Sequence, residues 1–155
     1  MPADVCLQLS ESPENASLVE LLEGVGDELL AACEASEREL SILLTDDQGI
    51  QRLNARWRGL DEPTDVLSFA FDEVPNKADW MPLGDVVLNI DRANLQCKDH
   101  DLTLEQELIY LLIHGVCHLR GFDHADPQES GVMKEEEERL LKLIEFDVSR
   151  PVNFF

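Results

Sequence analysis

Residues 103–124 read TLEQELIYLLIHGVCHLRGFDH. Thr103, with Gln106 three residues on, is a capping-box start. Leu108, Ile109, Leu111, Leu112, Ile113, Val116 and Leu119 make the following stretch apolar on most sides. A helix of this kind, running to about Arg120, has to be buried. His114 and His118 are four residues apart, so both imidazoles project from one face, a turn apart. Gly121 can adopt φ > 0 where the helix stops, letting the chain turn and return His124 toward the pair. Three neutral imidazoles converging on one point, with no fourth protein ligand in the run, suit one catalytic Zn²⁺ per chain whose open position holds water. A buried helix is also the rigid support that a preorganised metal site requires.

A pair H-x-x-x-H alone fits an ordinary buried helix face. Gly121 and His124 at these offsets reproduce the ligand spacing of the zincin motif H-E-x-x-H-x-x-G-x-x-H, so the helix is zincin-like. The position that carries a Glu general base in peptidases of that pattern is Gly115 here, which demotes proteolysis and promotes metal-assisted hydrolysis of another bond. His114 and His118 would be costly polar groups in an apolar helix without partners on both ring nitrogens. Asp85 and Asp123 are the candidates for that outer shell. Cys117, beside His118, reads as a buried small hydrophobe that a thiolate role would have to displace. His100, in CKDHD, reads as a solvated loop residue.

Working outward, Asp4–Leu9 alternates as a first strand, and Leu18, Leu21, Leu22, Val25, Leu29 and Leu30 recur at helical spacing over about 17–35. ELSILL (39–44) is a second strand. Thr45 or Asp46 caps a helix over about 47–57, in which Ile50, Leu53, Asn54 and Trp57 share a face. Gly59 and Pro63 punctuate a loop before a strand over 66–71, a polar excursion spans 72–82, and 83–90 is a fourth strand. Asp91 caps a short helix to about Lys98. Pro127 opens a last helix, to about 147, with Val132, Met133, Leu140, Leu141 and Ile144 inward. The expected fold is therefore α+β: a single domain over 1–155, with a small mixed four-stranded sheet and about five helices packed on it.

With 155 residues, 44% of them hydrophobic, the chain can bury a sizeable core. No run approaches the roughly 18 apolar residues of a membrane span, and Met1-Pro2-Ala3-Asp4 lacks a signal peptide's basic start. A cytoplasmic location follows as the expectation, with the four scattered cysteines reduced. The net charge of −21 argues against a nucleic-acid binder, whose affinity is largely phosphate neutralisation. The uneven distribution of that charge softens the exclusion. Residues 1–37 hold nine acidic side chains and no Lys or Arg, and Glu135–Glu138 reads as a solvated acidic face, whereas Arg52, Arg56 and Arg58 cluster.

Together with LNARWRGLDEPTDVLSFAF (53–71) and PLGDVVLNI (82–90), the run HGVCHLRGFDH resembles the YbeY family of metal-dependent endoribonucleases, with the motifs in that family's order. Phe122 stands where the family usually has Tyr. The resemblance implies a zinc-bound, single-strand-preferring endoribonuclease that acts in ribosomal RNA maturation, notably at the 3′ end of the small-subunit (16S) RNA, and in ribosome quality control. It implies His114, His118 and His124 as metal ligands and Arg58 as a functionally important arginine. A guanidinium suits a phosphodiester because it offers paired donors to phosphate oxygens, and Ser68 and Asn54 are candidates for further substrate contacts. Two other readings are open. One is a metal-dependent hydrolase of a small ester or amide. The other is a ribosome-assembly factor with a structural metal, whose acidic faces dock small-subunit ribosomal proteins or an assembly GTPase.

Overall fold

A computed structural model describes residues 3–70 and 82–144. Four strands, β1 (Ala3–Leu7), β2 (Leu40–Thr45), β3 (Val66–Ala70) and β4 (Gly84–Asn89), form one sheet in the order β1-β2-β4-β3. β1 and β4 flank β2 in parallel, and β3 runs antiparallel on the edge beside β4, so the sheet is mixed as expected. Five helices accompany it: α1 (Pro13–Ala32), α2 (Asp47–Arg58), α3 (Ile90–Asp99), α4 (Leu104–Leu119) and α5 (Pro127–Leu143).

The two faces of the sheet differ. Ala3, Ile42 and Val86 point to the face covered by α1 and α4. A Cβ on Gly26 of α1 would meet Ala3 at 2.8 Å, and one on Gly115 of α4 would meet Val86 at 2.7 Å. That face forms the core, with Leu22, Leu29, Leu40, Leu44, Leu88, Leu108 and Leu112 sealed from water. The alternate residues Cys6, Ser41, Leu43, Asp85 and Val87 look the other way, toward α2.

Most predicted elements stand, with shifted ends. α1 begins at Pro13, earlier than its apolar repeat suggests. The Ser12 hydroxyl accepts from the Asn15 N–H, and a proline in the first turn has no donor to leave unpaired. Asp46 is the cap of α2, while α3 is capped by Asn89 and not Asp91. The Asn89 side-chain oxygen accepts from the Asp91 and Arg92 N–H groups. Trp57, which shares a face of α2 with the buried Ile50 and Asn54, is 61% exposed, and Val132, expected inward on α5, is 51% exposed. The polar excursion over 72–81 and the end of α5 beyond 144 lie outside the described residues. Among the described residues no helix is long and apolar enough to cross a membrane.

Candidate metal centre

α4 forms as its sequence dictates. The Thr103 hydroxyl accepts from the Gln106 N–H, and the Gln106 side chain accepts in return from the Thr103 N–H. Leu108, Ile109, Leu112, Ile113 and Val116 are at most 1% exposed. His114 and His118 emerge on a half-buried face. Gly121 turns the chain at φ 93°, and His124 comes back beside them. The ligand nitrogens of His114, His118 and His124 all lie within 4.8 Å of one another. His118 Nε2 stands 3.2 Å from His114 Nε2.

That spacing fits a metal. Zn–N bonds of about 2.0–2.1 Å at tetrahedral angles hold ligand nitrogens about 3.3 Å apart. Burial, then the neighbouring imidazoles of His114 and His124, push His118 below the usual histidine range, which favours the neutral form that ligates. His114 Nδ1 meets Glu137 Oε2 at 3.1 Å, which turns Nε2 of the same ring toward the other histidines. A cavity of about 370 Å³ opens on two of the three histidines, His114 and His124, and is lined as well by Tyr110, Ser130, Lys134 and Glu137. Burial, with Glu137 next, pushes the Tyr110 hydroxyl up to about 12, so it stays a protonated donor on the cavity wall.

Glu137 is the residue the sequence reading misses. The run Glu135–Glu138 is not a uniformly solvated face: Glu137 is 5% exposed and holds His114, and Glu136 bonds Arg120 and Arg139. The signal lies in spacing. Met133, Glu137, Leu140 and Ile144 fall on one helical stripe, and all four are buried.

The remaining predicted residues are placed as follows. Asp123 adjoins the triad. Its carboxylate accepts from the His124 N–H at 2.7 Å, fixing the turn, and its charge bears on His118. Asp85 is not brought to the triad: it lies on the opposite face of the sheet, hydrogen-bonded to Ser41. Alternation along β4 decides this, because its neighbours Gly84 and Val86 are the residues that meet α4. Asn54 is buried, and its amide donates to the Glu62 carbonyl at 2.9 Å, bracing the loop after α2. Arg58, the last residue of α2 before Gly59 at φ 72°, donates to the Ser68 carbonyl and lies 4.9 Å over the Phe69 ring. The Ser68 side chain shares the α4-facing side of β3 with Val66, whose methyl would stand 3.5 Å from a Cβ on Gly115.

Two further residues are decided by burial, and a third by its partner. Gly115 is a packing seat against Val86, with no room for the peptidase's Glu. Cys117 is fully buried, and burial pushes its thiol up to about 12, so it is a protonated core residue and not a thiolate. His100 is solvated as expected, at the end of α3, and its Nδ1 meets the buried Glu107 carboxylate at 2.7 Å.

Comparison with known proteins agrees with this picture. Residues 8–145 match the family described as Endoribonuclease YbeY. The chain is 38% identical over 153 residues to the Endoribonuclease YbeY of Desulfitobacterium hafniense, covering 93% of this chain and 98% of that one. It is 44% identical over 113 residues to that of Persephonella marina, covering 72% and 74%. Among solved structures it is similar to the solution structure of TM1509 from Thermotoga maritima, with a TM-score of 0.59 and 25% identity, over 91% of this chain and 87% of that one. Sequence match, fold and histidine cluster agree, and the chain belongs to the YbeY family of endoribonucleases.

Proposed function

We propose that the protein is a zinc-dependent endoribonuclease that cuts single-stranded ribosomal RNA, in maturation of the small-subunit RNA 3′ end and in ribosome quality control. The observation that carries the reading is the histidine triad, held by Glu137 at the mouth of a cavity, in a chain of this family. His114, His118 and His124 would hold one ion. Three imidazoles also accept Ni²⁺ or Cu²⁺, and Zn²⁺ suits hydrolysis because it brings no redox chemistry. When bound, the ion supplies Lewis-acid stabilisation of the negative charge that develops on phosphate.

The chain's own groups do the rest. His114 is oriented through Glu137, so its ligating nitrogen is fixed before substrate arrives. Arg58 offers donors to a phosphate oxygen. Its present bond to the Ser68 carbonyl and its place over Phe69 hold the guanidinium at the outer face of β3, the strand whose other face borders α4. The Tyr110 hydroxyl is a further donor on the cavity wall. Ribosomal assembly partners fit the acidic remainder of the surface, which would repel RNA elsewhere and attract basic proteins.

The test is cleavage of a single-stranded ribosomal RNA fragment by the wild type and by His114→Ala and Arg58→Ala, with and without zinc. Loss in both variants, with circular dichroism unchanged, is the expected result. Identical faint cleavage in all three preparations would overturn the reading and favour an assembly factor.

A further inference from the structure

The face of the sheet turned away from the triad carries a second cavity of about 440 Å³, between α2 and strands β1, β2, β4 and β3. Leu43, Leu53, Trp57 and Phe69 form apolar walls, and Asp85 with Ser41 provides polar groups between them. Trp57 is 61% exposed, so a large ring stands open to solvent on the helix face it shares with the buried Ile50. Arg56 lies 5.0 Å over Trp57 and Arg58 lies 4.9 Å over Phe69. Arg52, one turn back from Arg56, is exposed as well. Two arginines, Arg56 and Arg58, therefore stand against rings of the cavity wall in a protein whose net charge is −21, while Arg52 faces a neighbouring groove of α2.

Apolar aromatic walls accept a flat ring, an arginine rim attracts phosphate, and a carboxylate beside the ring position accepts paired N–H donors. Among nucleobases, guanine presents such a pair, N1–H and N2–H, side by side. Asp85 lines the cavity, is exposed and is hydrogen-bonded to Ser41, and a carboxylate has more acceptor sites than one such bond uses. We infer that the cavity between α2 and the outer sheet face is a guanine-nucleotide subsite: the base lies against Trp57 and Phe69 with its edge on Asp85, and its phosphate meets Arg56 and Arg58. The inference rests on the endoribonuclease reading, since it makes the subsite a holder of single-stranded RNA. β3 is the edge strand, so a strand of RNA seated here would pass around that edge toward the α4 face.

Mononucleotides test it without interference from cleavage, since they contain no internal phosphodiester. The chain has two tryptophans, and Trp80→Phe leaves Trp57 as the sole indole N–H signal in a ¹⁵N NMR spectrum. Titration with GMP is expected to shift that signal saturably, more tightly than AMP, CMP or UMP. Asp85→Asn is expected to weaken GMP about tenfold and to leave the other three unchanged, the size of one bidentate base contact. Arg56→Ala is expected to weaken all four alike. An indole signal unmoved by every nucleotide, or equal binding of all four that ignores Asp85→Asn, overturns the inference. Cleavage of single-stranded RNA by the same preparation then shows whether the endoribonuclease reading survives. GMP binding with no cleavage sinks that reading and leaves a guanine-nucleotide site.

Discussion

Eleven of the 16 residues of α4 are buried, against three of the 12 in α2. Both helices carry candidate functional side chains, and the difference follows from the charge of those side chains. Imidazoles bind a metal in their neutral form, so His114 and His118 sit on a largely buried helix, with one buried carboxylate fixing the His114 ring. Guanidiniums stay charged, and burying three of them beside one another would cost several kcal/mol each without partners. α2 therefore keeps Arg52, Arg56 and Arg58 in solvent and is anchored mainly through Ile50 and Asn54. Strand β3 lies between the two regimes, touching Arg58 through Ser68 and Phe69 and Gly115 through Val66.

If α4 is the rigid member of the pair, its supports are the places to break it. Glu137→Gln should lower metal affinity and RNA cleavage by about 10–100-fold while the fold persists, measured by metal titration and a cleavage assay. Cleavage at the wild-type rate would mean that His114 needs no carboxylate. If α2 is the charged, solvent-borne member, Arg58→Lys should reduce cleavage about tenfold. A lysine keeps the charge but loses the paired donors and the planar stack on Phe69. Equal rates would reduce Arg58 to its charge alone.

Gly115→Ala sharpens the contrast from the packing side. The added methyl meets the buried Val86 at 2.7 Å, and the expected loss is about 1–3 kcal/mol in denaturant unfolding. The same change at Gly59, where nothing lies within 4 Å, should act only through its positive φ. The smallest effect belongs to Glu136, held down to about 2 chiefly by its hydrogen bonds from Arg139, with Arg120 adding to them and burial opposing. A depressed carboxyl contributes stability above its ordinary value near 4.5 and loses it as pH falls toward 2. Glu136→Gln should therefore cost about 1 kcal/mol at pH 7, and its melting temperature should converge with the wild type between pH 4.5 and 2.

α4 is legible in the sequence because its signals are local: a capping box, an apolar surround, and histidines at i, i+4 and i+10 with Gly121 between. The strands of the sheet are legible as short apolar or alternating runs. Glu137 is not. A glutamate inside a run of four reads as solvated until the helix is docked and its stripe with Met133 and Leu140 faces α4. Asp85 has the chemistry of a metal's outer shell, and strand alternation sends it to the other face.

The elements, the three candidate ligands and the turn that gathers them can be read from the chain alone, because each depends on neighbours within about a dozen residues. Packing in three dimensions settles which carboxylate supports His114, which face receives Asp85, and that Trp57 stands open beside Arg56. Those outcomes depend on which surfaces of α2, α5 and β4 are covered, and that is set by packing between residues far apart in the chain.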